Sequence, residues 1–195
     1  IARGIATDKG YVLVPPYDDP AVISGQGTIG LEIVEDMARL GLQPDVVLAP
    51  ASGGGLVSGI ATAVKAHHPA ARVYACEPQD FDDHVKSLAA GKRIENTGNA
   101  RSICDALMSK SPGLLTFEIN RRLLSGALTA SDDEALSAIA FAARWMKLVL
   151  EPGGAVSLAA ALQGRVPQPR DNVVIVASGG NIDDDMLRRA LDEAD

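Results

Sequence analysis

The sequence predicts an α/β domain in which an open, mostly parallel sheet is covered by helices on both faces. Short runs of β-branched residues alternate with amphipathic helical patterns along the 195 residues, and this alternation is typical of doubly wound folds. The strand candidates are apolar at nearly every position, which indicates a sheet buried on both faces and therefore three layers. The predicted strands cover residues 11–14, 46–49, 73–76 and 173–177.

The predicted helices fill the intervals between these strands. Residues 28–40 place apolar side chains on one face and charged side chains mostly elsewhere. Ser131 and Glu134 have the spacing of a capping box, which predicts the start of a long helix over residues 132–148. Further helices are predicted over residues 57–67, 155–163 and 182–194.

The composition excludes several functional classes. Hydrophobic residues make up 47% and charged residues 22% of the chain, as in ordinary globular domains. The net charge of −7 and the lack of a basic block disfavour binding to nucleic acid or to an anionic membrane, and no apolar run approaches the length of a membrane span. Two cysteines, Cys76 and Cys104, are too few for a disulfide scaffold, so we expect a cytoplasmic location.

The first of three glycine-rich segments, residues 25–30, matches G-x-G-x-x-G. A dinucleotide site would need a strand before the glycines and an acidic residue at a strand end about 20 residues later. Only a short apolar run precedes Gly25, and Asp45 lies before its strand rather than after it. A tight turn into a helix is the favoured interpretation, and NAD binding is the alternative.

The other two glycine-rich segments each follow a predicted strand and precede a predicted helix. Residues 52–56, Ser-Gly-Gly-Gly-Leu, offer consecutive backbone N–H groups and a helix N-terminus, which together favour a phosphate. Ser178 begins the second segment, Ser-Gly-Gly-Asn. Ligands bind beyond the carboxyl ends of strands in open α/β sheets, so Ser178 is expected to face the same crevice as Ser52, although it could also serve only as a helix cap.

An acidic segment, residues 77–83, ends the third predicted strand. Carboxylates and backbone carbonyls are the ligands that hard divalent cations prefer. Acidic residues at a helix start are also favoured by the helix dipole without any metal. The residues alone leave both interpretations open.

Taken together, these segments resemble a known family. Residues 52–56, 151–155 (Glu-Pro-Gly-Gly-Ala) and 178–181 occur in the order and spacing found in pyridoxal-phosphate enzymes of fold type II, most closely in threonine/serine dehydratases and serine racemase. Residues 16–20, Pro-Tyr-Asp-Asp-Pro, followed by Gly-Gln-Gly-Thr are also similar to that group. The resemblance extends over essentially the whole chain, implies an incomplete tryptophan synthase β-like fold, and removes the NAD interpretation.

The resemblance also implies roles for particular residues. The glycine loop would hold the phosphate of pyridoxal 5'-phosphate, Ala106 would pack on its ring, Ser178 would meet its pyridine nitrogen, and Glu151 would lie nearby. A divalent cation (Mg²⁺, Mn²⁺ or Ca²⁺) would be held by Glu77, the carbonyl of Phe81, and Asp83. The implied cofactor contacts are Ser52, Gly53, Gly54, Gly55, Leu56, Ala106, Glu151 and Ser178.

Such enzymes need a lysine that forms a Schiff base with the cofactor, and it lies in an N-terminal motif of the family. None of the six lysines occurs in such a motif: Lys9, Lys65, Lys86, Lys92, Lys110 and Lys147. We therefore expect an N-terminal part of the enzyme to lie outside these residues, with residues 1–20 ending a small domain and connecting it to a large cofactor-binding domain, residues 21–195. The chain alone should not catalyse.

The function implied is dehydration of threonine or serine to a 2-oxo acid and ammonia by a cytoplasmic homodimer. Serine racemisation and hydroxyaspartate dehydration are close alternatives. A nicotinamide oxidoreductase and a non-catalytic domain that binds a phosphate ligand are remote alternatives. The first would need a nucleotide at residues 25–30, and the second a complete sequence without the family lysine.

Overall fold

The computed structural model describes residues 1–97 and 99–193. Over these residues four parallel strands form one sheet in the order β3-β2-β1-β4. The strands are β1 (Val46–Pro50), β2 (Arg72–Pro78), β3 (Gly126–Ala130) and β4 (Val173–Ile175). The predicted parallel α/β class is confirmed.

The helices lie mainly between the strands and on both faces of the sheet. Short 3₁₀ turns cover Gln79–Phe81 and Asp105–Leu107, and a π-helical turn covers Ala142–Met146. The α-helices are α1 (Ala2–Lys9), α2 (Pro20–Arg39), α3 (Gly55–His67), α4 (Asp83–Ala90), α5 (Leu114–Leu123), α6 (Asp132–Phe141), α7 (Pro152–Leu162) and α8 (Asp184–Glu193).

Alternate side chains of β1 enter two separate hydrophobic cores. Val46 and Leu48 pack with residues of α6 and α7 on one face. Val47 and Ala49 pack with residues of α3 on the other face. Because the side chains of a strand alternate between faces, this division produces the three layers that the continuous apolar run predicted.

One predicted strand is absent from the structure, and one observed strand was not predicted. Residues 11–14 form no strand, and their side chains are exposed, Val12 to 88%. An apolar β-branched run becomes a strand only where a partner strand is available, and none pairs with it among the described residues. The third strand in chain order, β3, was not predicted because its sequence, Gly-Ala-Leu-Thr-Ala, contains few residues that favour strands.

The capping box is confirmed, since Ser131 accepts from the Glu134 N–H and the Glu134 carboxylate accepts from the Ser131 N–H. The helix that it opens is shorter than predicted, because α6 ends at Phe141. A π-helical turn follows, and it ends at Lys147, whose φ is 58°. Three helices that were not predicted are α1, α4 and α5. The predicted extension of the last helix to Ala194 lies outside the described residues.

The turn predicted at residues 25–30 is wrong, because these residues lie inside α2. Asp19 begins the helix by accepting from the N–H groups of Ala21 and Val22, and Pro20 occupies its first turn. Two of the glycines face α3: a Cβ on Gly30 would lie 2.8 Å from the Ile60 carbonyl oxygen, and one on Gly27 would lie 3.5 Å from the Gly59 carbonyl oxygen. Helix packing therefore accounts for Gly27 and Gly30, whereas a Cβ on Gly25 would meet no atom within 4 Å.

No helix within residues 1–97 and 99–193 combines the length and the apolarity needed to cross a membrane.

The predicted boundary between a small domain and a large domain, at residues 20 and 21, stays a prediction.

Candidate functional site

A cavity of about 230 Å³ lies beyond the carboxyl ends of β1 and β4. Ser52 and Ser178 both line it, as predicted from their positions after strands. Leu48 pairs with Ile175 in the two neighbouring parallel strands, so the loops that follow emerge side by side. The lining residues are Pro16, Tyr17, Pro50, Ala51, Ser52, Gly53, Gly54, Gly55, Leu56, Ala106, Leu107 and Ser178.

The carbonyl groups of the glycine loop are bound on the side away from this cavity. The Gly53 carbonyl accepts from Thr116 Oγ1 at 2.6 Å and from the Gly113 N–H at 3.0 Å. The Gly54 carbonyl accepts from Ser58 Oγ at 2.7 Å and from the Ser58 N–H at 3.0 Å. In a trans peptide the next N–H points opposite to the carbonyl, so the N–H groups of Gly54 and Gly55 are directed away from these partners. Together with the N-terminus of α3, they form an arrangement that can bind an anion.

Two glycines of the loop, Gly53 and Gly54, leave no room for a side chain. Gly54 has a φ of 94°, and a Cβ there would lie 2.7 Å from Asn120 Nδ2 and 2.8 Å from His84 Nε2. A Cβ on Gly53 would lie 2.3 Å from the ring of Tyr17. A side chain at either position would therefore displace a neighbour or strain the backbone.

Tyr17 is held over the loop by the two aspartates that follow it. Asp18, with a φ of 56°, accepts from the N–H groups of Leu114, Leu115 and Thr116 at the start of α5. Asp19 caps α2 in the same way. The Tyr-Asp-Asp sequence therefore joins two helix N-termini and places an aromatic ring on Gly53, a role that sequence reasoning did not identify.

The segment from Glu151 to Ala155 supports the cavity from outside. Its glycines permit close contacts: a Cβ on Gly153 would lie 3.2 Å from Leu107, and one on Gly154 would lie 2.5 Å from the Gly179 carbonyl oxygen. The Glu151 carboxylate accepts from the Asn181 N–H at 3.0 Å. Glu151 is not among the cavity-lining residues, so in this structure it positions the loop that carries Ser178.

The acidic segment after β2 forms a buried cluster of Glu77, Asp83 and His84, each of them fully buried. Glu77 Oε1 accepts from the backbone N–H of His84 at 2.8 Å and from its Nδ1 at 2.9 Å. Glu77 Oε2 accepts from the Val85 N–H at 3.1 Å. Glu77 thus binds the start of α4 with both of its carboxylate oxygens.

The ligand atoms of Glu77, Asp83 and His84 lie within 4.8 Å of one another, close enough to share a metal ion. Asp83 Oδ1 accepts from Asn96 Nδ2 at 3.0 Å, and Asp83 Oδ2 is buried without a hydrogen-bond partner. Burial and the neighbouring Glu77 raise the pKa of Asp83 to about 7. Phe81 is half-buried at the end of the preceding 3₁₀ turn. The cation stays a prediction, and the buried His84 ring lies beside Glu77.

Comparison with known proteins bears on this geometry. The family model described as "Pyridoxal-phosphate dependent enzyme" matches residues 1–179. The chain belongs to this family. The expected resemblance is thereby confirmed at the level of the family, and so is the fold.

Relatives of several activities match the chain at similar levels. It is 38% identical over 192 residues to an L-threonine ammonia-lyase of Thermotoga maritima, covering 98% of this chain and 46% of the relative. It is 36% identical over 183 residues to an L-threo-3-hydroxyaspartate ammonia-lyase of Saccharomyces cerevisiae, covering 94% of this chain and 55% of the relative. The solved structure of maize serine racemase has a TM-score of 0.87 and 34% identity, covering 98% of this chain and 59% of that chain.

The chain therefore spans about half the length of the relatives that it matches.

No lysine is among the residues that line the cavity of the described structure. The residues that support the cavity come from segments far apart in sequence: Tyr17 contacts Gly53, and Asn120 contacts Gly54. Of these residues, only Tyr17 could be singled out from the sequence, because the Tyr-Asp-Asp sequence is part of the family resemblance.

Proposed function

We propose that the complete protein containing this chain is a pyridoxal-phosphate-dependent ammonia-lyase that removes water from threonine or serine, giving a 2-oxo acid and ammonia. The observation that carries the proposal is the shared cavity of the Ser52–Gly55 loop and Ser178. The named activities of the relatives support this reaction class. They include serine racemase and hydroxyaspartate ammonia-lyase as well, so these activities are the alternatives.

The glycine loop is proposed to hold the phosphate of the cofactor. The N–H groups of Gly54 and Gly55 are oriented by the bonds to the preceding carbonyls, and the dipole of α3 adds positive potential at the same point. Ser52 and Leu56 line the same cavity, and we propose that the Ser52 hydroxyl and the Leu56 N–H complete the set. Because these donors are fixed by the fold, binding an anion requires little reorganisation of the loop.

Ser178 is proposed to donate or accept one hydrogen bond at the pyridine nitrogen. When bound, pyridoxal phosphate supplies an electron-withdrawing ring that stabilises negative charge at the substrate Cα. A neutral hydroxyl at the ring nitrogen stabilises ring protonation less than a carboxylate would. Ser178 thereby favours prompt loss of the β-hydroxyl over reactions that need a long-lived carbanion.

Ala106 and Glu151 have different proposed roles. Ala106 lies on the cavity wall beside Leu107 and is proposed to pack against the cofactor ring. Glu151 is proposed to act near the cofactor only by positioning, because its carboxylate accepts from the loop that begins with Ser178. The proton at the substrate Cα is proposed to be moved by a lysine that residues 1–195 do not supply.

A cytoplasmic homodimer is part of the same proposal. Cys76 and Cys104 are buried free thiols, and burial raises their pKa values to about 12. Such thiols stay protonated and unreactive, as expected of cysteines that remain reduced in the cytoplasm. The exposed Trp145 and Val149, at 75% and 54%, offer apolar surface for a subunit contact. Light scattering of the complete protein measures the stoichiometry.

The substrate is tested by incubating the complete, cofactor-loaded protein separately with threonine, serine and 3-hydroxyaspartate. We expect 2-oxobutanoate from threonine and pyruvate from serine, each with an equal amount of ammonia. Oxaloacetate as the main product would favour the hydroxyaspartate alternative, and D-serine detected by chiral chromatography would favour racemisation. Cofactor binding without turnover of any of the three would contradict the proposal and favour a non-catalytic domain that binds a phosphate ligand.

The divalent cation is the least supported part of the resemblance. Glu77, the Phe81 carbonyl and Asp83 would have to converge on one ion, whereas Glu77 already accepts three N–H groups. The cation therefore stays a prediction, and no step of the proposed reaction depends on it.

A further inference from the structure

The buried cluster after β2 contains two carboxylates and one imidazole. Glu77, Asp83 and His84 are each fully buried. Among the described residues, no lysine or arginine forms an ion pair with either carboxylate, and the neighbouring Lys86 pairs with Asp82 instead. Two buried carboxylates lose their hydration and repel each other, so they need positive charge close by. With both carboxylates ionised, even a protonated imidazole leaves one negative charge uncompensated.

We propose that Glu77, Asp83 and His84 bind a transition-metal ion such as Zn²⁺ or Mn²⁺, with the imidazole Nδ1 as a direct ligand. The resemblance implies oxygen ligands only, which Mg²⁺ and Ca²⁺ prefer. A nitrogen ligand shifts the preference toward first-row transition metals. The inference goes beyond the proposed function and does not depend on it, because none of the three residues lines the cavity of the glycine loop.

The positions of the candidate ligand atoms suit one ion. The atoms that the three residues offer all lie within 4.8 Å of one another. His84 Nδ1 is 2.9 Å from Glu77 Oε1 and 3.7 Å from Asp83 Oδ2. Atoms bound at about 2.1 Å to a common ion lie about 3.0–3.5 Å apart in octahedral and tetrahedral shells. Small shifts therefore separate the observed positions from a coordination shell.

Both carboxylates keep lone pairs for an ion. Asp83 Oδ2 is buried without a hydrogen-bond partner, whereas its Oδ1 accepts from Asn96. The Glu77 carboxylate accepts from the backbone N–H groups of His84 and Val85, one on each oxygen. A carboxylate has about four lone-pair sites, so these two bonds do not use all of them. An ion beside His84 Nδ1 would satisfy the Asp83 oxygen without removing a backbone hydrogen bond.

The proton count on the other side of the imidazole places a proton on Nε2. Nε2 lies 3.3 Å from the Asn120 amide, whose other end is 2.9 Å from Ser58 Oγ. Ser58 has a single hydroxyl proton, and the Gly54 carbonyl oxygen lies 2.7 Å from the same Oγ. An amide keeps its shape when its two ends are exchanged. If its NH₂ group donates to Ser58 Oγ, Ser58 donates to Gly54 and the amide oxygen accepts from Nε2, so that each contact has one proton.

A proton on Nε2 leaves the Nδ1 lone pair facing Glu77 Oε1 at 2.9 Å. Two lone pairs at this distance repel each other unless a cation lies between them. A second ring proton would serve Glu77 alone, whereas a metal ion also binds Asp83 Oδ2 and neutralises both carboxylates. Metal-bound histidines usually donate their other N–H to an oxygen acceptor, and the Asn120 oxygen supplies one here.

The first experiment measures which ions the complete, cofactor-loaded protein binds. Metals are removed with a chelator, and Zn²⁺, Mn²⁺, Mg²⁺ and Ca²⁺ are then each titrated alone, with elemental analysis and thermal melting as readouts. We expect one Zn²⁺ or Mn²⁺ per chain and a higher melting temperature when it is bound. The affinity for Zn²⁺ should exceed that for Mg²⁺ or Ca²⁺ by about a hundredfold or more. No bound ion, or Mg²⁺ bound as tightly as Zn²⁺, would overturn the inference.

The second experiment detects the nitrogen ligand directly in the unchanged protein. Electron spin echo spectroscopy of the Mn²⁺-loaded protein should show coupling of the metal to a histidine nitrogen. Labelling the histidines with ¹⁵N should alter this coupling and leave the rest of the spectrum as it was. Bound Mn²⁺ without any histidine coupling would show a shell of oxygen ligands and contradict the role of His84.

The third experiment replaces single ligands. His84→Asn is expected to weaken Zn²⁺ binding about a hundredfold, because it removes a direct ligand, and to change Mg²⁺ binding much less. Asp83→Asn removes one of the charges and should weaken the binding of all four ions. His67→Ala is the matched control, because His67 is exposed on α3, and it should alter neither Zn²⁺ binding nor the nitrogen coupling.

Equal losses of Zn²⁺ and Mg²⁺ affinity in His84→Asn would contradict a direct nitrogen ligand. If that variant does not fold, the spin echo measurement on the unchanged protein still decides the question. The outcomes are also separate from those of the proposed function. A protein that turns over threonine or serine without any bound ion would sink this inference and leave the proposed function standing, whereas ion binding is measured in the same way if no turnover is found.

Discussion

Two segments of this chain carry three glycines each within six residues, and the fold uses them differently. Gly25, Gly27 and Gly30 lie inside α2, where the last two face α3. Gly53, Gly54 and Gly55 follow β1 and begin α3, where their N–H groups border a cavity. The same small residue brings two helices together in one region and forms a candidate anion site in the other.

The difference shows that glycine content alone does not identify a phosphate site. The loop after β1 is placed at the carboxyl end of a parallel strand, where backbone donors and a helix N-terminus coincide. The earlier segment is preceded by Asp19 and Pro20, a helix cap followed by a favoured first-turn residue, so the chain is already helical when the glycines are reached. Removing single glycines from each segment tests this contrast.

The largest expected effect is that of Gly54→Ala. The residue has a φ of 94°, and its new Cβ would lie 2.7 Å from Asn120 Nδ2. Left-handed backbone strain and overpacking are expected to weaken the binding free energy of pyridoxal phosphate by about 3 kcal/mol. This corresponds to a loss of about a hundredfold in affinity. A cofactor fluorescence titration measures this loss, and an affinity within a few-fold of the unchanged protein would contradict the role of the loop.

Gly59→Ala should act on the other region. Its Cβ would lie 2.4 Å from the Ile23 carbonyl oxygen, so α2 and α3 would have to separate. We expect the free energy of unfolding in urea to fall by about 1–3 kcal/mol, while cofactor affinity changes much less than in Gly54→Ala. An equal loss of affinity in the two variants would show that the regions are not separate.

Asp18→Ala should give an intermediate effect, because Asp18 joins the regions. Loss of its bonds to the three N–H groups at the start of α5 is expected to lower the free energy of unfolding by about 1 kcal/mol. Tyr17 would also be released from Gly53, so cofactor affinity should fall modestly. Asp18→Asn, which keeps one acceptor oxygen, serves as the matched variant and should recover part of both losses.

The smallest change has the opposite sign. A Cβ on Gly25 would meet no atom within 4 Å, and alanine is favoured over glycine inside a helix. Gly25→Ala should therefore raise the free energy of unfolding by about 0.5–1 kcal/mol. If Gly25 served a nucleotide phosphate instead, the variant would lower the affinity for that ligand without stabilising the chain, and calorimetry with NAD would reveal it.

Local and regular features of the molecule were predictable from the sequence. The capping box of Ser131 and Glu134 depends on residues three apart, and the convergence of Ser52 and Ser178 depends only on parallel strands ending at one edge. Helix α2 was predicted too short because glycines weaken a helix in isolation, whereas contact with α3 compensates for their low propensity.

Long-range contacts had no signal in the sequence. Asn120 meets His84 across 36 positions, and Asp18 caps a helix 96 residues later. The exposed apolar residues 11–14 form no strand because strand formation depends on a neighbour and not on composition alone. Motifs therefore located the candidate site, and packing determined which residues support it.

The central claim is tested most directly by a crystal structure of the complete protein with pyridoxal phosphate. We predict phosphate oxygens within hydrogen-bond distance of the Gly54 and Gly55 N–H groups, and the ring nitrogen within hydrogen-bond distance of Ser178 Oγ. A phosphate bound away from this loop, or a ring nitrogen that meets a group other than Ser178, would contradict it.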